Sequence, residues 1–293
     1  AEGHRLVALP GRQAVPLSRT VEGRAGDDWQ AFRDRGRSET PFVAFDGSDR
    51  FRFRPGTGFW LRSDRPWTVR TTVPTVALSD DGTYTIDLHD GWNVVSNPYE
   101  LDVPWAAVRA ANGGSLPPLW RYDGRFEAVS TFASARTGEA FYLLNDRGRE
   151  GLRLPYPAVS DGSAKTAAKS GGPAALTLTA YQDDRPAAQV QVGTHEEATD
   201  GRDRYDQVAP PARFARTSLR LEGGGADVPS RQRRLAAEYR SAKADGHTFS
   251  LTLRAQPGTP VTLRADGMDA FDGKQVVLID PATATSYDLR TTS

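Results

Sequence analysis

The sequence predicts a mainly β protein: duplicated small β-rich modules with short helices, followed by a β-sandwich of immunoglobulin-like or jelly-roll-like type. Three observations predict it. Short alternations of apolar and polar residues recur along the chain, among them 83–88 (TYTIDL), 174–181 (AALTLTAY) and 187–194 (AAQVQVGT), and this period of two is the mark of half-buried strands. The 28 Gly and 20 Pro among 293 residues punctuate these runs, with Asp-Gly pairs at Asp46-Gly47 and Asp123-Gly124 where tight turns need positive φ. One segment, 158–173 (AVSDGSAKTAAKSGGP), has no aromatic residue and separates a part holding all six Trp from a part holding none.

The N-terminal part, 1–157, reads as an aromatic-rich β module containing two repeats, about 1–75 and 76–157. The first has HRLVALPG (4–11), PFVAFDGSDRFRF (41–53) and RPGTGFWL (54–61); the second has GWNVVSNPY (91–99), PLWRYDGRFEAV (118–129) and ARTGEAFYLL (135–144). The order is the same in both: an apolar strand ending at a Pro turn, an aromatic hairpin, then a Gly turn into an aromatic strand. Phe59-Trp60-Leu61 matches Phe141-Tyr142-Leu143, and Phe45-Asp46-Gly47 matches Tyr122-Asp123-Gly124. Each repeat is expected to hold one short helix. In the second it covers 103–112, with Asp102 as cap, Pro104 in the first turn, Gly113-Gly114 as the stop and Trp105 and Val108 on one buried face. In the first, DDWQAF (27–32) is expected to play that part.

Residues 158–173 are small and polar, unable to bury enough apolar surface to offset ordering, and read as a flexible linker. Beyond them, 174–293 reads as the sandwich. Strands are expected at 174–181 and 187–194 around a QDDRP hairpin, then at 217–223, 247–255, 259–265, 274–280 and 285–290. The stretch 231–244 (RQRRLAAEYRSAKA) is helical by propensity, yet Leu235, Ala237 and Tyr239 alternate; both readings stand.

Charge and composition exclude several functions. Lys plus Arg and Asp plus Glu are 37 each, so no net field steers nucleic acid. Lysine occurs only at Lys165, Lys169, Lys243 and Lys274, and Arg supplies the rest of the basic set. The absence of Cys removes disulfide frameworks, thiol nucleophiles and thiolate metal sites. No apolar run approaches the length of a membrane span. A chain beginning at Ala1 without Met fits a processed secreted chain or an excised piece.

GWNVVSNPY, an aromatic strand and then RTGEAFYLL resemble a module of large secreted proteins of Bacteroidota-type bacteria. LVALPG, DDWQAF and FDGSDRFRFRPGTGFWL are similar to a companion segment of such proteins. DGRDRYDQVAPP (200–211), LAAEYR (235–240) and VVLIDPATATSYDLR (276–290) are similar to the module preceding the C-terminal sorting domain of type IX secretion cargo. The resemblance covers most of the chain, and its motifs are turns and strand aromatics rather than catalytic signatures. It implies an exported protein, secreted or at the cell surface, in which such modules accompany a catalytic or adhesive domain. That the chain stops at Ser293 fits removal of the sorting domain on export, or the end of an excised piece.

Three functional readings follow. The first is an extracellular non-enzymatic structural or interaction protein: a self-assembling surface fibre subunit, or an accessory region of a secreted protein. Its partners would be itself or other cell-surface proteins, joined by strand addition at exposed sheet edges. The alternative is a carbohydrate-binding or adhesin module, with glycan rings stacking on Trp60, Trp67, Trp105 and Trp120. The third is a glycosidase-like enzyme with paired carboxylates. Asp200, Asp203 and Asp206 lie three apart in an irregular loop and could supply oxygen ligands to calcium, although Arg202 and Arg204 interleave opposing charge. The four His are scattered with no ligand-pair spacing, and no nucleophile-elbow or phosphate-loop motif occurs.

Overall fold

The computed structural model describes residues 3–12, 14–36, 41–63, 74–157, 174–223, 228 and 232–291. The expected linker, 158–173, and Trp67 lie outside the described residues. The chain divides into two compact units, 1–164 and 165–293.

The first unit contains β1 (His4–Val7), β2 (Val15–Pro16), β3 (Trp29–Asp34), β4 (Phe42–Ala44), β5 (Arg52–Phe53), β6 (Phe59–Ser63), β7 (Thr83–Asp87), β8 (Gly91–Val95) and β9 (Val103–Pro104). Helix α1 (Trp105–Ala111) follows, then β10 (Leu119–Tyr122), β11 (Phe126–Val129), β12 (Thr131–Phe132), β13 (Phe141–Asn145) and β14 (Gly151–Pro155). Two four-stranded sheets dominate. One has the order β1-β6-β3-β4 and the other β8-β13-β10-β11, every pairing antiparallel. The connectivity is therefore the same in both. The register also corresponds: Val7 faces Phe59 as Val95 faces Phe141, and Phe32 faces Trp60 as Trp120 faces Tyr142. Isolated bridges then link the sheets reciprocally, Val7 to Glu139 and Thr57 to Val95.

Strand alternation divides the aromatic residues into three layers, because successive side chains point to opposite faces. Phe59 and Leu61 enter one core with Leu17, Trp29, Phe51 and Phe53. Phe141 and Leu143 enter another with Trp105, Val108, Phe132, Leu152 and Leu154. The intervening residues, Trp60 and Tyr142, are fully buried between the sheets. There Trp60 packs against Tyr122 at 4.9 Å, and Trp92 against Tyr142 at 5.7 Å, both edge to face.

Several expected elements differ. Residues 27–32 do not form a helix: from Trp29 they are strand β3, since Trp29 and Ala31 are buried while Gln30 is exposed and pairing with β6 outweighs a weak local propensity. Segment 41–53 is not a hairpin equivalent to 118–129. β4 pairs back to β3 and β5 to β2, leaving Asp46-Gly47 as a turn between unpaired strands. Asp123-Gly124 does close the β10–β11 hairpin, with Gly124 at φ 76°. Helix α1 buries Trp105 and Val108 as expected, but Pro104 holds the cap position. Asp102 instead accepts from the Ser134 N–H at 2.7 Å.

The second unit contains β15 (Ala174–Gln182), β16 (Arg185–His195), β17 (Gln207–Val208), β18 (Ser218–Glu222), β19 (Arg234–Ser241), β20 (Leu251–Arg254), β21 (Thr262–Asp266), β22 (Val277–Asp280) and β23 (Thr285–Asp288). Within the ambiguous 231–244 stretch, Arg234–Ser241 is thus strand, through parallel pairing with β16 and antiparallel pairing with β18. Asp183 and Asp184, at φ 52° and 57°, make the tight turn between β15 and β16. Strands β15–β21 form one seven-stranded sheet, in the order β20-β18-β19-β16-β15-β21 with β17 also on β19; β22 and β23 make a separate hairpin.

This large sheet curls. β16 and β18 share one edge of β19, at its two ends, and β17 takes the other edge. Leu178, Ala180, Val190, Leu219, Leu221 and Leu235 of the sheet are buried.

Candidate interaction surface

The tryptophans named above as sugar platforms are interior. Trp60 is fully buried, and Trp105 and Trp120 are 5% and 7% exposed. Trp29 and Trp92 are buried as well. A pyranose ring could reach Trp60, Trp105 or Trp120 only by opening a core. The reason is the packing: Trp60 and Trp120 lie on sheet strands β6 and β10 that are covered by side chains, and Trp105 faces the core from helix α1. Polar tips are satisfied inside, Trp105 Nε1 on the Pro117 carbonyl at 3.2 Å and Trp60 Nε1 on the Tyr142 hydroxyl at 2.9 Å. Tyr142 in turn donates to Asp34 at 2.6 Å.

The acidic loop is organised by its own backbone. Asp203 accepts from the N–H groups of Thr199 and Tyr205, and Asp206 from those of Asp203 and Tyr239. Asp200 points elsewhere, 3.8 Å from His247 Nδ1. Burial pushes the Asp206 carboxyl above its ordinary range. Asp200, Asp203 and Asp206 are not brought together as a calcium cage, and among the described residues no group of three His, Asp or Glu side chains could hold a metal ion. Arg204 pairs with Glu197 and Tyr205, and Arg202 with Gln232 at 3.0 Å.

The histidines are equally local. His195 stacks on Tyr205 at 4.0 Å, and His247 Nε2 meets the Ser241 carbonyl at 2.8 Å. His4 sits across the strand pair from Arg62, and burial together with that guanidinium lowers it to about 4. A shallow depression of about 220 Å³ lies at Gly26, Asp27, Asp28, Trp29, Gln30 and Arg62. Its two acids are chain neighbours, and Asp28 accepts from the Arg24 N–H at 2.7 Å within the turn that leads into β3.

What distinguishes the second unit is its C-terminal stretch. From Arg240 to Thr291 none of the described residues is buried, although the stretch contains β20, β21 and the β22–β23 hairpin. Cross-strand register places the β20 leucines on an otherwise buried face. Leu251 and Leu253 lie opposite Leu221 and Leu219, hence on the same face, yet the inner pair is buried while Leu253 is 40% exposed. Val277, Ile279 and Tyr287 of the hairpin are exposed too, Ile279 at 66%. Scattered exposed apolar residues are ordinary, but here they concentrate on strands without buried residues of their own.

Charge accompanies this surface. Arg220 and Arg254, with Arg234 of β19, form a basic group, and burial together with Arg234 and Arg254 pulls Arg220 down to about 10. The sequence marks a strand at 274–280, but its unbroken apolar run Val276–Ile279 does not tell which face stays uncovered.

No protein-family model, curated protein or solved structure matches the chain. No helix among the described residues is long and apolar enough to cross a membrane.

Proposed function

We propose that the chain is an extracellular, non-enzymatic interaction protein, secreted or held at the cell surface, whose C-terminal β strands are the docking region. The observation that carries this reading is the uncovered stretch from Arg240 to Thr291, with Leu253, Val277, Ile279 and Tyr287 exposed on ordered strands. A two-stranded hairpin on its own is only marginally stable, so β22–β23 gains from a surface to pack on. The buried aromatic layers of the first unit support a scaffold role, because their rings fill cores. The exported location rests on the sequence resemblance.

Sedimentation velocity tests the reading, with the whole chain run alone at rising concentration and then mixed with proteins released from the surface of the producing cells. A complex in either condition that Ile279→Lys weakens is expected. A monomer in both conditions overturns the reading.

A further inference from the structure

We propose that the docking partner is a second copy of this chain, with β22 of one copy adding to the free edge of β20 of the next so that Val277 and Ile279 cover Leu251 and Leu253. The inference rests on the interaction reading above and names its partner. β20 pairs with β18 on one side and β22 pairs with β23 on one side, and neither has a second neighbour among the described strands. Each therefore presents unpaired N–H and C=O groups, the template for strand addition. Neither strand contains the Pro or Lys that commonly blunts an edge. Both have four residues, so one covers the other along its length.

The side chains fit when the strands are placed edge to edge. Odd positions of β20, Leu251 and Leu253, continue the face of buried Leu219 and Leu221. Odd positions of β22, Val277 and Ile279, are the exposed apolar ones. Matching these faces with the two strands parallel, Val277 beside Leu251 and Ile279 beside Leu253, places the even positions together on the other side, where Asp280 meets Arg254 beside Arg220 and Arg234. Asp280 stays ionised, because the Thr283 hydroxyl and the Ala282 N–H hold its carboxyl below the ordinary range. Apolar residues thus meet apolar, and acid meets a basic group with an excess of positive charge. The two surfaces are different patches of the chain, so the contact is heterologous. Each added copy still presents a free β20 or β22, and the expected product is an open chain or a ring.

The chain has no cysteine, so introduced thiols report this contact alone. Leu253→Cys and Ile279→Cys chains are prepared singly, mixed and mildly oxidised. Neighbouring strands lie about 4.7–4.9 Å apart, which brings facing residues within disulfide reach. Expected is a cross-linked dimer in the mixture at least tenfold above that of either chain alone, and a ladder of multiples from the doubly substituted chain. Homodimers of Ile279→Cys as the main product overturn the heterologous geometry. Absence of cross-linking in the mixture, with the unmodified chain sedimenting as an oligomer, overturns the β20–β22 contact and leaves the interaction reading standing. A chain monomeric alone but complexed in the surface-protein mixture overturns the second copy as partner and again leaves that reading standing.

A second arm guards against loss of folding. Leu253→Lys and Ile279→Lys each shift the self-association midpoint at least tenfold upward with unchanged far-UV circular dichroism. Mixed one to one they form a dimer and stop, since one intact β20 and one intact β22 remain between them. Polymerisation of either variant at the unmodified concentration overturns the contact.

Discussion

Trp60 donates its indole N–H to the Tyr142 hydroxyl at 2.9 Å, and the two residues hold the same place in two sheets of the same strand order. Tyr142 passes the chain on to Asp34 at 2.6 Å. Residues at matching positions that touch each other are what a two-fold relation between the sheets produces, as do the reciprocal bridges Val7–Glu139 and Thr57–Val95.

Tyr142→Phe keeps the ring and removes both hydrogen bonds of this buried chain. Each buried bond lost in this way costs about 1–3 kcal/mol, so the variant is expected to lose about 2–6 kcal/mol in total. A lower urea midpoint with an unchanged slope in tryptophan fluorescence checks it; a loss under about 0.5 kcal/mol would show that the bonds contribute little.

Gly58 lies where the sheets cross. A Cβ there would stand 2.5 Å from Cβ of Ala140 and 2.8 Å from the Val7 carbonyl oxygen. Gly58→Ala forces packed backbone apart, with an expected cost of about 1–3 kcal/mol. Gly124 is the contrast: a Cβ would meet open space, and only its φ of 76° opposes substitution, at about 1 kcal/mol. Thermal melts of the two variants side by side should rank Gly58→Ala as the more damaging.

Asn112 ties α1 to β14. Its side chain donates to the carbonyls of Val108 and Arg153 at 2.8 and 2.7 Å and accepts from the Arg153 N–H at 3.0 Å. Asn112→Ala leaves backbone groups of both elements without these partners and should cost about 2–3 kcal/mol. Hydrogen exchange is expected to quicken in α1 and β14 before it does in β3 or β6.

His4 gives the first unit a pH dependence of known sign. Its folded value is about 4 against 6.5 for the free side chain, through burial and then Arg62. Between those limits the unfolded chain binds a proton that the folded chain does not, so stability falls as pH falls from 6.5 and levels off near 4. Chemical denaturation from pH 7 to 4 should show this slope, and His4→Gln should flatten it. An unchanged slope would assign the dependence to other groups.

Much of the strand content was legible because it is written in local alternation. Thr83–Asp87, Ala174–Gln182 and Ser218–Glu222 are strands where the sequence alternates. Gly124 and the pair Asp183-Asp184 turn at positive φ, which their residue types tolerate. DDWQAF misled because a six-residue segment has no dependable helical signal, and β3 exists through its pairing with β6. Phe45-Asp46-Gly47 misled because a turn residue reports a bend and says nothing of which strands flank it as partners.

The candidate site was less legible. The abundance of Trp pointed to sugar platforms, yet Trp60, Trp105 and Trp120 are interior, since an aromatic strand looks alike whether one face or both are covered. The spacing of Asp200, Asp203 and Asp206 suggested ligands, yet the loop turns Asp203 and Asp206 inward to its own N–H groups.

By itself, the sequence determined that this protein is built of short strands with aromatic cores and no thiol chemistry, because period, turn chemistry and composition act between near neighbours. The tertiary structure decided which strands pair, that Trp60 meets Tyr142, and that Leu253 and Ile279 remain uncovered. Those outcomes depend on contacts between residues far apart in the chain, and burial is a property of what lies opposite a side chain rather than of the side chain itself.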